Sequence, residues 1–156
     1  MVAVPVRPEP QPVGDPPDAR AWSREPAADG PLLEHRFPGE AARLAAVRRE
    51  LGTWAAATGL DEETVEDLLL AVYEAMVNAA EHAYADGERP VELSAVRTAD
   101  GCVLVVVRDE GRWRPIPEDP GHRGRGLAMI TNLSDHAEID RGSGGTIVSL
   151  WWRLLR

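Results

Sequence analysis

Leu70-Ala71-Val72-Tyr73-Glu74-Ala75-Met76-Val77-Asn78-Ala79-Ala80-Glu81-His82-Ala83-Tyr84 is the stretch whose reading decides the fold of this chain. At about 100° per residue, Val65, Leu68, Leu69, Val72, Met76, Ala79 and Ala83 form one wide apolar stripe, the sheet-facing side of a helix. Glu74 and Asn78 fall on roughly the opposite side, where water is expected. Their neighbours there are Leu70, Ala71 and Val77, so in its middle the helix is apolar nearly all round and these two residues are polar islands. A carboxylate in such surroundings is costly unless water, a partner or a metal compensates it. A ligand cavity is one explanation. A Glu74 that reaches out to water and an Asn78 bonded to a loop carbonyl is the other. His82, a further turn along, reads as structural.

Outward from this helix the pattern is regular. Asp61 opens it, with Glu62 and Glu63 in the first turn where the helix dipole favours them, and it runs to about Ala85. Before it, Glu40 to Thr58 carries Leu44, Val47, Leu51 and Trp54 at helical spacing and stops at Gly59, and Leu32 to Phe37 alternates as a short strand closed by Pro38-Gly39. After it, Val91 to Thr98 and Cys102 to Arg108 read as two strands joined by the hairpin dipeptide Asp100-Gly101. Asp109 to Arg125 is rich in proline and glycine and reads as a loop. A short helix from Leu127 to about Leu133 follows, then strands Ala137 to Arg141 and Thr146 to Leu154. The order β-α-α-β-β-loop-α-β-β predicts an α+β fold: a mixed, mostly antiparallel sheet with helices on one face.

With 156 residues the chain is sized for one globular unit. Nine of the thirteen prolines precede Gly39, so residues 1–30 read as a loosely attached, proline-rich arm and 31–156 as the folded domain, with Trp22 the arm's one anchor candidate. All seventeen basic residues are arginine. The absence of lysine excludes a Walker A loop, a protein-kinase ATP lysine, and Schiff-base or pyridoxal chemistry. The single cysteine, Cys102, excludes an intramolecular disulfide and a multi-cysteine zinc site. A net charge of −9 argues against nucleic acid as a direct partner. The charge is concentrated, with eleven acidic residues against two arginines between Asp61 and Asp100, which suits solubility or a basic protein partner. Neither a signal peptide nor a membrane-spanning run is legible, so the expected location is cytoplasmic, without membrane attachment.

The Leu70–Tyr84 segment resembles the N-box of the gyrase/histidine-kinase ATPase superfamily, the Bergerat ATP-binding fold, in its anti-sigma-factor serine kinase branch. Val105-Val106-Val107-Arg108-Asp109-Glu110-Gly111 resembles the first glycine box, Arg123-Gly124-Arg125-Gly126-Leu127 the second, and Gly144-Gly145-Thr146 the closing motif. The four occur in family order, and the resemblance covers about Leu32 to Arg156.

The resemblance implies ATP and Mg²⁺ as cofactors and assigns roles. Glu74 would be the general base toward the incoming hydroxyl, and Asn78 the oxygen ligand of the magnesium that bridges the phosphates. Asp109 would accept from the exocyclic amine of adenine. A strand-end aspartate can also simply cap its own turn, and that reading stays open beside it. Gly111 would let the backbone approach the base. Gly124 and Gly126 directly precede the short helix in this reading, so its free N–H groups form an anion site for the phosphates, which Arg123 and Arg125 would supplement and Leu127 would continue. Thr146 completes the nucleotide set. The chain departs from the family at the fifth position of the first glycine box, where Trp113 replaces the usual glycine. Slow or weak turnover is the corresponding expectation.

The implied function is an ATP-binding anti-sigma factor with serine/threonine kinase activity toward a STAS-type anti-anti-sigma partner; a homodimer is common in the resembling family. The alternative is a non-catalytic ATP-binding module that uses nucleotide only to switch partners. A histidine-kinase catalytic domain is disfavoured, because no helical dimerisation segment with a phospho-accepting histidine is legible.

Overall fold

The computed structural model describes residues 22–28, 30–85, 89–111, 122–142 and 144–154, with the backbone alone for 82–85 and 122–125. Eight elements follow in the predicted order: β1 (Leu32–Pro38), α1 (Ala41–Ala56), α2 (Glu62–Ala85), β2 (Pro90–Arg97), β3 (Cys102–Asp109), α3 (His122–Leu133), β4 (His136–Gly142) and β5 (Gly145–Arg153). The five strands make one sheet in the order β1-β2-β3-β5-β4, and all four pairings are antiparallel.

Strand alternation divides the sheet into two unlike faces. The helices cover the face carrying Val91, Leu93, Val103, Val105, Val107, Val148, Leu150 and Trp152, and these form the main core with Leu44, Val47, Leu51 and Trp54 of α1 and Leu68, Val72 and Met76 of α2. The adjacent tryptophans of β5 illustrate the division. Trp152 joins the helix-side core and donates its indole N–H to the Leu133 carbonyl at 2.8 Å, whereas Trp151 faces outward into a small second cluster with Leu104 and Cys102.

Helix α2 is the central helix of the layer. Asp61 caps it by accepting the Thr64 N–H at 2.7 Å, and that bond, with one from the Thr64 hydroxyl, holds the Asp61 carboxyl below its ordinary value. Its buried positions are Leu68, Ala71, Val72, Ala75, Met76, Ala79 and Ala80, a wider band than the predicted stripe. Ala71, Ala75 and Ala80 are covered because α2 has neighbours on more than one side: α1, the sheet and α3 all pack against it. The side of α2 expected to meet solvent therefore meets α3 instead.

Two boundaries differ from the sequence reading. Helix α3 begins at His122, five residues before Leu127, and takes in Gly124 and Gly126. Interior glycines each cost a helix roughly 1 kcal/mol, which is why sequence pattern alone starts it later; packing on α2 outweighs that preference. The packed part of the chain also begins earlier than residue 31. Pro26 forms an antiparallel bridge with Thr98, Ala27 donates its N–H to the Arg97 carbonyl at 2.8 Å, and Ala99 donates to the Glu25 carbonyl at 2.9 Å. Trp22 is half-buried against the outer cluster, so the end of the expected arm is laid on the sheet.

Candidate functional site

Glu74 and Asn78 stand one turn apart on α2, both half-buried, and both face the backbone of α3 at Gly126. A β-carbon built on Gly126 would lie 3.3 Å from Glu74 Oε2 and 3.6 and 3.8 Å from Asn78 Nδ2 and Oδ1. Only a bare main chain passes so close without pressing on the carboxylate. The N-box and second-glycine-box residues, far apart in sequence, thus share one crevice between two helices.

The other half of the site sits where β3 ends and β5 begins. Asp109 pairs with Thr146 across the two strands, and both side chains project to the helix-covered face, in line with Val107 and Val148. Each is 4% exposed. Asp109 Oδ1 accepts the Gly111 N–H at 3.0 Å, so the aspartate does cap its own turn, as the local reading allowed. Thr146 Oγ1 is different: it is buried and has no hydrogen-bond partner among the described residues. A buried hydroxyl without a partner costs free energy, and one beside a carboxylate at a strand end is placed to serve a polar ligand.

Two further residues position this corner. Gly145 has a φ of +131°, and a β-carbon there would lie 1.9 Å from the Asp109 carbonyl oxygen, so the start of β5 can approach β3 this closely only with glycine. Arg89 donates from Nη1 to the Glu110 carbonyl at 2.9 Å and ties the bend after Asp109 to the segment entering β2. Gly145 belongs to the predicted closing motif, but its steric role has no separate sequence signal. Arg89 carries no signal at all, because a lone exposed arginine before a strand looks like any other.

The remaining predicted residues fall as follows. Gly111 is buried at the bend. Leu127 is half-buried and packs against the main core. Gly124 lies in the first turn of α3, where N–H groups have no intrahelical acceptor, but Gly126 lies one turn further in. The pair therefore does not precede the helix; the free N–H groups of its N-terminus belong to residues 122–125. The side chains of Arg123 and Arg125, the loop 112–121 with Trp113, and the side chain of His82 lie outside the described residues.

The donors present suit a magnesium nucleotide. One neutral amide, Asn78, stands at the crevice, and no group of three or more His, Cys, Asp or Glu among the described residues could hold a metal by itself. A magnesium ion here would take most of its ligands from phosphate and water, which is how that ion is usually bound.

Residues 37–152 match the histidine kinase-like ATPase domain, and the chain belongs to that family. Within it, the chain is similar to proteins named serine-protein kinase RsbW: 29% identity over 133 residues with that of Bacillus pumilus, covering 74% of this chain and 82% of the relative, and 28% over 130 residues with that of Bacillus velezensis, covering 74% and 81%. Among solved structures it resembles the RsbU and RsbW domains of Rv1364c from Mycobacterium tuberculosis, at a TM-score of 0.65 and 32% identity over 81% of this chain. It spans 33% of that longer chain. The SiaB-SiaC complex from Pseudomonas aeruginosa shares the fold, at a TM-score of 0.58 and 14% identity over 77% of this chain and 88% of that one.

Proposed function

We propose that this chain is an ATP-dependent serine/threonine kinase and anti-sigma factor that phosphorylates a serine on a STAS-type anti-anti-sigma protein. The observation that carries the reading is the convergence of Glu74 and Asn78 beneath the bare backbone of Gly126. The family match and the RsbW relatives support it.

Magnesium ATP, when bound, supplies the γ-phosphoryl group. Asn78 would hold the magnesium ion through its amide oxygen, the N–H groups at the start of α3 would receive the phosphates, and the two arginines of the second glycine box, Arg123 and Arg125, would add charge. Asp109 and Thr146 hold the adenine end, the first toward the exocyclic amine and the second through its otherwise unpaired hydroxyl. Glu74 accepts the proton of the partner's serine hydroxyl. As the serine oxygen bonds to the γ-phosphorus, the bond from that phosphorus to the β,γ-bridging oxygen breaks, and ADP leaves with the electron pair.

The sigma factor, a homodimeric state and a cytoplasmic setting belong to the same proposal. No helix among the described residues is long and apolar enough to cross a membrane. The test is phosphoryl transfer from Mg-ATP to a STAS-type partner, run beside a partner whose acceptor serine is alanine. Label on the serine-containing partner alone supports the kinase. ATP binding with no transfer identifies the non-catalytic switching module, and absence of Mg-dependent ATP binding overturns the site itself.

A further inference from the structure

At the end of the sheet away from Asp109, the outer face holds an occupied groove. One cross-strand row runs Leu32, Val96, Leu104, Trp151 and His136 through β1, β2, β3, β5 and β4. The Trp22 indole lies on this row, stacked on the His136 ring with centroids 4.9 Å apart and 13° between planes, with the Arg153 guanidinium 4.7 Å from its own ring centre. Two residues on, the Arg24 guanidinium sits 4.9 Å over Trp151, donates to Glu138 Oε2 at 2.6 Å and to the Ser149 hydroxyl at 3.1 Å. Hydrogen bonding from His136 and then from Arg24 holds the Glu138 carboxyl below its ordinary value, so this acceptor stays charged at neutral pH.

Main-chain bonds fix the segment as an extended ligand would be fixed. The Trp151 indole N–H donates to the Ser23 carbonyl at 3.1 Å and Asp100 accepts the Ser23 N–H at 3.1 Å. The bonds of Glu25 and Ala27 to the β2–β3 hairpin continue the pairing. The arrangement has the parts of a peptide site: a flat aromatic seat, an acidic acceptor two residues away, and backbone partners at the β2–β3 hairpin.

We propose that this end of the outer face is a docking groove for an extended segment with an aromatic residue and an arginine two positions on. Residues 22–27 occupy it in cis, and a partner protein presenting the same pattern exchanges with them. The chemistry of the occupant is read from the seat: rings and cations stack on Trp151 and His136, and Glu138 selects a cation. Exchange, rather than simple opening, follows from what lies beneath. Trp151 is fully buried and Cys102 is 3% exposed, so an empty groove would expose apolar floor. The ion pair that holds the occupant is itself half-exposed, which makes it replaceable.

Cys102, the chain's one cysteine, reports on the groove. Burial, followed by the nearby Asp100 carboxylate, pushes its thiol pKa up, so it reacts slowly while covered. The full chain with Trp22→Ala is expected to react with a thiol reagent at least about tenfold faster than the unaltered chain. A blocked peptide of the sequence Ala21–Ala28 is expected to restore the slow rate, and the same peptide with its tryptophan replaced is not. The fluorescently labelled peptide is also expected to bind the unaltered chain. Equal thiol rates in both chains, or a fast rate that the peptide does not slow, overturn the groove; peptide binding to Trp22→Ala but not to the unaltered chain overturns the exchange. If Trp22→Ala does not fold, Arg24→Glu, which removes the contacts of Arg24 with Glu138, Ser149 and the Trp151 ring and sets like charge against Glu138, is put through the same measurements.

Discussion

Strands β3 and β5 run side by side from Cys102 and Arg153 at one end to Asp109 and Thr146 at the other, and the two ends are built by opposite rules. At the Cys102 end the polar groups named above are paired. The Trp151 indole has the Ser23 carbonyl, the Cys102 N–H has the Thr98 hydroxyl at 3.0 Å, and the Thr98 hydroxyl also meets Asp100. At the Asp109 end a buried hydroxyl is unpaired and a glycine is forced by a near-contact of main chains, and in the α2–α3 crevice that the family resemblance assigns to the same site a carboxylate and an amide lie under a helix backbone. The difference separates packing from service. The first end is finished by the chain itself, and the second, on the proposed function, is left for a ligand. Replacing a polar side chain should therefore cost stability at the Cys102 end and function at the Asp109 end, with the steric glycine Gly145 standing apart, and the predictions below can break or bound that division.

The largest effect is expected for Glu74→Gln. The amide keeps the shape beneath Gly126 and removes the proton acceptor, so phosphoryl transfer should fall about 10³-fold, roughly 4 kcal/mol in the barrier. ATP affinity and the melting temperature should stay close to those of the unaltered chain. Single-turnover transfer beside ATP titration reads both. A transfer rate within a few-fold of the original takes Glu74 out of the chemistry.

Gly145→Ala tests the opposite limit, a residue at the ligand end whose role is steric. A β-carbon 1.9 Å from the Asp109 carbonyl, on a backbone with φ of +131°, cannot be accommodated without moving β5 away from β3. The expected loss is about 3 kcal/mol of stability, a fall of roughly 6–12 °C in Tm, with ATP binding lost alongside it. A Tm within about 2 °C of the original would mean that the strand ends are not locked together and that Asp109 is positioned by something else.

How much of this was legible before the structure varies with the physical signal. Elements whose signal is local are readable: Leu44, Val47, Leu51 and Trp54 at helical spacing, Asp100-Gly101 between two strand-like runs, and the acidic first turn of α2 all lie where the pattern puts them. The polar islands Glu74 and Asn78 were also visible, because a helix apolar nearly all round makes a carboxylate conspicuous. What covers them was not, since the contact with α3 is a tertiary one that no wheel contains. The start of α3 was misplaced for the same reason: its glycines argue against a helix that packing on α2 imposes. Asp109 carried two readings, and the turn-capping bond to Gly111 is present in the structure. Of the anchors that lay residues 22–27 on the sheet, Trp22 is legible as a candidate, whereas Arg24 is not, because it sits in a proline-rich run whose composition alone suggests a loose arm.

Gly126→Ala puts stability and function in direct opposition. Alanine in a helix interior is favoured over glycine by roughly 1 kcal/mol, so Tm should hold or rise slightly. The added carbon would stand 3.3 Å from Glu74 Oε2, the end of a flexible side chain that can turn away. Turning it away displaces the base, so transfer should slow about tenfold. Loss of Tm together with activity would show that the α2–α3 crevice is a packing seam, and that the ligand end is finished internally after all.

The smallest effects come from two threonines at opposite ends of the sheet, Thr98 in the β2–β3 hairpin beside Cys102 and Thr146 opposite Asp109, and they bear on the comparison most directly. Thr98 is 1% exposed and Thr146 is 4% exposed, so replacement by valine removes the same hydroxyl from similar burial. Thr98 uses its hydroxyl: it accepts the Cys102 N–H and bonds to Asp100, so Thr98→Val leaves a buried donor unpaired and should cost about 1 kcal/mol, with nucleotide affinity unchanged. Thr146 Oγ1 has no partner to lose among the described residues, so Thr146→Val should leave Tm unchanged or a little higher, because an unpaired buried hydroxyl gives way to a methyl group. Its ATP affinity should nonetheless fall several-fold, since the group removed is the one left for the ligand. Thermal melts and ATP titrations of the two variants, side by side, give four outcomes. If Thr146→Val lowers Tm as Thr98→Val does and leaves ATP affinity alone, both ends are built for packing and the division between them fails.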